Sequence, residues 1–245
     1  MLRLYHLIIG VALLVLVPLG LKVTGSGSSQ KSDSPKVVQV SRATSSSANG
    51  NNIWKNFVDK TASPKGWQVS PCDGNASLLC ISANNQRVGA VEMLILPLEK
   101  QPNFQKFLTQ AGIDPSKKID HQNPEYQTQL SSALNAWVNE HYAGLEKDRQ
   151  GSYGGSINFS SYPPQKVQIG KLPGIRYGFV GIKRQGGVQE QHVGYVTFDG
   201  KALYVITTAF DPASKTGKFD KLENLAAFEP YLDAIALNLR LPNSI

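Results

Sequence analysis

The chain has no H-E-x-x-H, no Walker loop, no dinucleotide fingerprint and no G-x-S-x-G elbow. These absences remove, in turn, zincin-type proteolysis, P-loop and Rossmann nucleotide chemistry, and α/β-hydrolase nucleophiles. The glycine-rich segment Gly151 to Ser156 follows a helical pattern and precedes a strand pattern. A phosphate cradle needs the reverse order, strand then helix, so this segment reads as a connector. Carboxylates are scattered, with no pair that spacing alone places across a cleft. No internal repeat, coiled-coil heptad or collagen bias is present. Basic runs are missing as well, although the net charge is +7 and the pI about 9.3. Residues 1–52 hold five basic and one acidic residue, and the remainder holds 20 and 17. The folded part therefore has an ordinary mixed surface, and no nucleic-acid partner is expected. No cofactor and no catalytic residue are expected either.

Cysteine is scarce: only Cys72 and Cys80, eight apart around the turn-prone Asp73-Gly74-Asn75. In an oxidising compartment they form a candidate local disulfide, worth about 2.5 kcal/mol by loop entropy. The alternative is two independent small apolar residues on neighbouring strands, not directly opposite each other. Two thiols without nearby histidine cannot complete a tetrahedral metal set locally.

The longest apolar run is Leu7 to Leu21, 15 residues behind the basic head MLRLYH and ended by Lys22. That length lies between a signal-peptide core and a bilayer-spanning helix. Residues 1–25 are thus a signal peptide or a membrane anchor, with residues 7–23 the membrane contact if uncleaved. Both readings leave the N-terminus cytoplasmic and everything after Lys22 extracytoplasmic. Residues 26–52 are Ser/Gly-rich and hold little apolar surface beyond VVQV, the composition of a disordered linker.

A single domain is expected over 53–245. Leu130, Leu134, Trp137, His141 and Leu145 recur at three- and four-residue spacing and predict a long helix from Tyr126 to about Lys147. Shorter helices are predicted at Ile53 to Val58 and Asn103 to Ala111, and a terminal one at Leu222 to Leu239. Strands are expected at Trp67 to Ser70, Leu78 to Ser82, Val88 to Leu96, Ile157 to Tyr162 and Lys166 to Ile169. Ile175 to Ala209 reads as a three-stranded antiparallel meander, with turns at Lys183 to Gly187 and at Asp199-Gly200. Asp-Gly there suggests a type I′ turn. The fold class is α+β, an antiparallel sheet with helices packed on it.

This layout resembles the PsbP-like family of extrinsic proteins of photosynthetic membranes and their bacterial relatives. The features that carry the resemblance are Gly66-Trp67 opening the first strand, a central helical insertion, Phe198-Asp-Gly-Lys-Ala-Leu-Tyr-Val-Ile206 in the meander, and a terminal helix ending Leu239-Arg-Leu-Pro242. It covers about residues 53–242. The resemblance implies an α/β/α sandwich and an exported, non-enzymatic accessory protein that docks on or helps assemble a membrane complex. The family's functional N-terminal segment has no counterpart here, so no binding residue carries over.

Histidine offers few sites. His141 lies on the apolar stripe and reads as a packed core residue; His121, in Asp120-His121-Gln122, reads as solvated. Glu190 and His192 are two apart on a strand and share a face. They are candidates for a divalent-metal or proton-transfer role, against the simpler reading of a polar outer face. Two ligands are too few without a third from elsewhere. Lys183 and Arg184 form a basic hairpin tip, a candidate contact for anionic lipid or an acidic partner. The alternatives to a docking protein are a metal-dependent hydrolase using His192 and Glu190, and a small-ligand carrier with an apolar cavity under the long helix.

Overall fold

The computed structural model describes residues 52–58, 61–74, 77–117 and 120–242. The expectations for a signal peptide or anchor, and for a linker up to residue 51, lie outside the described residues. Among the described residues, no helix is long and apolar enough to cross a membrane.

Among the described residues, nine strands form one sheet. In chain order they are β1 (Trp67–Pro71), β2 (Leu78–Ala83), β3 (Gln86–Pro97), β4 (Ile157–Ser161), β5 (Gln165–Ile169), β6 (Leu172–Lys183), β7 (Val188–Phe198), β8 (Ala202–Phe210) and β9 (Lys218–Phe219). Their spatial order is β1-β2-β3-β9-β8-β7-β6-β4, with β5 also on β6 and β3 also on β8. Every pairing is antiparallel except β8 with the short β9. The helices are α1 (Trp54–Phe57), α2 (Pro102–Gln110), α3 (Pro124–Tyr153) and α4 (Leu222–Leu237).

Strand alternation sorts the side chains into two cores. On one face Tyr195, Tyr204 and Ile206 pack against Trp54 and against Leu225, Phe228 and Leu232 of α4. On the other, Tyr177, Val196, Phe198 and Val205 pack against Phe104 and Leu108 of α2 and Leu130, Leu134 and Val138 of α3. The architecture is therefore mixed α+β, with helices on both faces of the sheet. Gly194 makes one close contact possible: a Cβ there would fall 2.3 Å from the Tyr177 ring that lies over it.

The structure extends or corrects several sequence-level boundaries. Helix α3 runs on to Tyr153, six residues past Lys147, because Gly151 and Ser152 continue the helix and Gly154 ends it with φ of 58°. β3 starts at Gln86, joined to β2 by Asn84-Asn85, both at positive φ (50° and 60°). Asparagine tolerates that region, which a two-residue hairpin loop demands. At the second meander turn only Gly200 takes positive φ, so the type I′ expectation fails. Asp199 stands before the turn instead. Its carboxylate accepts hydrogen bonds from the N–H groups of Lys201 and Ala202 and from the Tyr204 hydroxyl.

Cys72 and Cys80 are joined in a disulfide, with Cα atoms 5.0 Å apart. Cys80 lies opposite Ser70, so the bridge is diagonal across the β1–β2 pair. The loop it closes clasps the start of the domain. The fully buried Asn52 donates to the carbonyls of Cys72 (2.9 Å) and Leu78 (2.6 Å), and the Trp54 indole N–H donates to Ser77 O (3.0 Å).

Candidate functional site

Glu190 and His192 lie on β7 with Val196 and Phe198, so they face α3. The last turns of α3 carry no buried apolar side chain; the buried stripe ends at Val138. In its place Arg149 reaches down to the sheet. Its Nε donates to Glu190 Oε2 (2.9 Å), and its Nη2 donates to Asp211 Oδ2 (2.7 Å), just past the end of β8. Nη1 donates to Asp148 Oδ2 (2.8 Å). His192 Nε2 lies 3.0 Å from Glu190 Oε2 and 3.5 Å from Asp211 Oδ2. Its ring stacks on Phe179, centroids 4.1 Å apart, across the β6–β7 pair.

Glu190 is fully buried, which overturns the simpler reading of a solvated outer face. The cause is the covering Arg149, 41 residues away in sequence. Burial alone would push the Glu190 carboxyl up. The His192 hydrogen bond and the Arg149 charge more than offset that, and hold it below the usual carboxylate range. Its other oxygen, Oε1, is buried without a hydrogen-bond partner. Asp211 supplies the third group that two-residue spacing could not provide. One ligand atom each from Glu190, His192 and Asp211 lies within 4.8 Å of the others.

Two carboxylates and an imidazole are a donor set that suits a divalent cation. The guanidinium already occupies the same two oxygens, so cation and Arg149 compete for one place. As it stands the cluster is charge-compensated and ties the polar end of α3 to the sheet.

The remaining candidates are dispersed. His141 stacks on Trp137 at 5.2 Å and meets Tyr177 edge-on. Burial, with the charge of nearby His192 adding to it, pushes its pKa down to about 4. His121 is not solvated: its ring packs edge-on against Tyr126, both nitrogens are inaccessible, and burial lowers its pKa. Lys183 and Arg184 are exposed at the β6–β7 tip and take no part in the ion pairs of the cluster. The groove flanking α3 is lined mainly by polar side chains and is not the apolar cavity that a small-ligand carrier needs.

Arg149 and Asp211 carried no signal in the sequence. Arg149 sits in a polar stretch that reads as solvated, and Asp211-Pro212 reads as a loop start. The one clue is parity: odd positions of β8 (Leu203, Val205) face α3, which puts Asp211 on that side.

No protein-family model and no curated protein matches the chain. Among solved structures it is similar to cyanobacterial PsbP from Synechocystis, at 9% identity and a TM-score of 0.36, over 74% of this chain and 85% of that one. A likeness of that size fixes neither family nor function.

Proposed function

We propose that this protein is an exported, membrane-tethered, non-catalytic accessory domain that docks on a membrane complex. The observation that carries the exported part of the reading is the Cys72–Cys80 disulfide in a chain with no other cysteine. Disulfides persist in oxidising compartments and are rare in reducing ones. The apolar run Leu7 to Leu21 behind a basic head supports the same address. The PsbP-like layout of residues 53–242 supports the accessory role.

Fractionation of cells with N-terminal sequencing of the mature protein tests the address. The expected result is a membrane-bound, extracytoplasmic chain with no free thiol. A cytoplasmic chain with both thiols free overturns it. Affinity purification from solubilised membranes tests docking, and recovery of the tagged chain with no larger assembly overturns the accessory role.

A second reading, metal-dependent hydrolysis at Glu190 and His192, is favoured by one observation: Asp211 brings a third ligand atom within 4.8 Å. Calorimetric titration with zinc tests it. Stoichiometric binding abolished by His192→Ala supports this reading, and heat no greater than that of the His192→Ala protein removes it.

A further inference from the structure

We infer that the groove between α3 and β5 receives an extended acidic segment of a protein partner, added as a strand to β5. This rests on the docking reading above and names the surface that docks.

The outer edge of β6 is shared by two short strands set end to end. β4 pairs with Phe179 to Lys183, and β5 pairs with Leu172 to Arg176. Among the described residues, β5 has no strand on its other side. Its register shows which backbone groups are free. Gln168 lies opposite Pro173, which has no N–H, so that position is a non-hydrogen-bonded pair, and so is Lys166 two residues away. At such positions the N–H and C=O point away from the partner strand. Lys166 and Gln168 thus turn two donors and two acceptors outward, at the spacing an added strand requires. Among the described residues no loop or helix backbone bonds to them.

A groove of about 500 Å³ runs beside this edge. Gln127, Thr128 and Ser131 of α3 form one wall, Lys166 and Gln168 the other, with Pro173 and Gly174 below. Val167 and Ile169 belong to the core on the α4 side, which leaves the side chains of Lys166 and Gln168 on the α3 side. The two charged side chains that line the groove, Lys166 and Lys171, are both cationic and exposed. Asp120 and Glu125 are not among the residues that line it; Asp120 accepts from the Gln122 N–H, and Glu125 accepts from Gln129. The positive end of the α3 dipole adds to the field. An edge strand bearing lysine repels most strands. A partner with carboxylates at alternate positions meets that charge while its backbone completes the ladder, as in other strand-addition complexes.

The hairpin that presents β5 is held rigidly. Gly170, at φ of 59°, donates its N–H to Ala236 O at the end of α4 (2.8 Å), and a Cβ there would fall 2.4 Å from Leu239 O.

The test uses the full chain in mild detergent and a fluorescein-labelled hexapeptide of alternating valine and glutamate, read by anisotropy. Lys166→Glu with Lys171→Glu should weaken binding about tenfold or more and create binding to the valine–lysine counterpart. Gln168→Pro removes one outward N–H and leaves the β5–β6 ladder intact. It should keep the melting temperature and lose the peptide, as should N-methylation of the peptide amides that face β5. No binding by the wild-type chain overturns the inference. So does binding that survives Gln168→Pro and N-methylation but is displaced by inorganic phosphate, which marks a small-anion site. Purification of the lysine-reversed chain from membranes separates the two readings. An assembly retained by that variant overturns this surface and leaves docking intact, whereas a wild-type chain with no assembly overturns docking itself.

Discussion

The two halves of α3 lie on one sheet and are held to it by opposite means. From Tyr126 to Val138 the helix buries an apolar stripe, and six of its side chains are inaccessible or nearly so. Beyond Val138 no apolar side chain is fully buried. There the rings of His141 and Tyr142 meet Tyr177 edge-on, and the directional ties are the Tyr142 hydroxyl on Gly178 and Arg149 on Glu190 and Asp211. Apolar contact is non-directional and tolerates small shifts, whereas a guanidinium between two buried carboxylates works in one geometry. The first half should therefore soften gradually under mutation, and the second should release as a unit.

The largest effect is expected at Arg149. Arg149→Met keeps the stem and removes the charge, leaving Glu190 and Asp211 buried without their cation. Breaking a buried ion pair from one side costs about 3–5 kcal/mol. Urea unfolding should register that loss. Hydrogen exchange should localise it to residues 142–153, with Tyr126 to Val138 still protected. Adding Glu190→Gln and Asp211→Asn should restore much of the stability, because no buried charge is then unpaired. If the triple variant is no more stable than Arg149→Met, the loss comes from packing of the arginine stem rather than from charge.

Leu130→Ala is the matching cut at the other end. Leu130 is fully buried, and such truncations cost about 2–5 kcal/mol depending on how far the site collapses. Protection should fall across the first half of α3 and in α2, while the Arg149 cluster keeps its exchange rates. A uniform loss over all of α3 would mean that the two halves are one cooperative unit, and the contrast would fail.

How much of this division was legible beforehand differs between the halves. The first is written in a 3.6-residue period of large apolar side chains, and Leu130, Leu134 and Trp137 place it without further information. The second depends on pairs separated by 41 and 62 residues, Arg149 with Glu190 and with Asp211. Nothing local marks such a pair: an arginine in a polar helical stretch looks the same whether it points to water or to a buried carboxylate. Glu190 and His192 were visible as a same-face pair, but their burial was not, because the covering group lies on another element. Local turn chemistry behaved in the same way. Asp-Gly signalled a hairpin correctly, while the carboxylate bonds of Asp199 to Lys201 and Ala202 decided where its central residues fell. The Asn84-Asn85 loop carried a usable signal, since asparagine is among the few residues that accept positive φ.

A smaller change should follow at the hinge between the halves. The Tyr142 hydroxyl donates to Gly178 O (2.7 Å) and accepts from Gly178 N–H (2.8 Å). Tyr142→Phe leaves a strand N–H and C=O without that partner, at a cost of about 1–2 kcal/mol. The loss should appear in the melting temperature and in faster exchange of the Gly178 amide, with both ends of α3 unaffected. An unchanged Gly178 amide would mean that water replaces the hydroxyl there.

The gentlest probe is pH, and its sign is the same at both ends of the helix. His141 sits in the second half with its pKa pushed down to about 4, first by burial and then by His192. His121 lies just before the first half, its pKa lowered by burial. Unfolding returns both to the ordinary histidine value near 6.5, so the unfolded chain binds more protons below that pH. Stability from these groups is complete above about pH 6.5 and drains away as pH falls toward the folded values. Glu190 adds a separate step: its lowered pKa gives stability above the ordinary carboxylate value, lost as pH drops through the folded one. His141→Phe keeps a ring against Trp137 and cannot be protonated. Its melting temperature should match wild type at pH 7 and exceed it at pH 4.5, with a residual acid slope from His121. Glu190→Gln should flatten the slope below the carboxylate range, where the Glu190 contribution is lost. If His141→Phe instead melts in parallel with wild type at every pH, the acid sensitivity resides in the first half, with His121. The apolar end would then be the end that carries the switch.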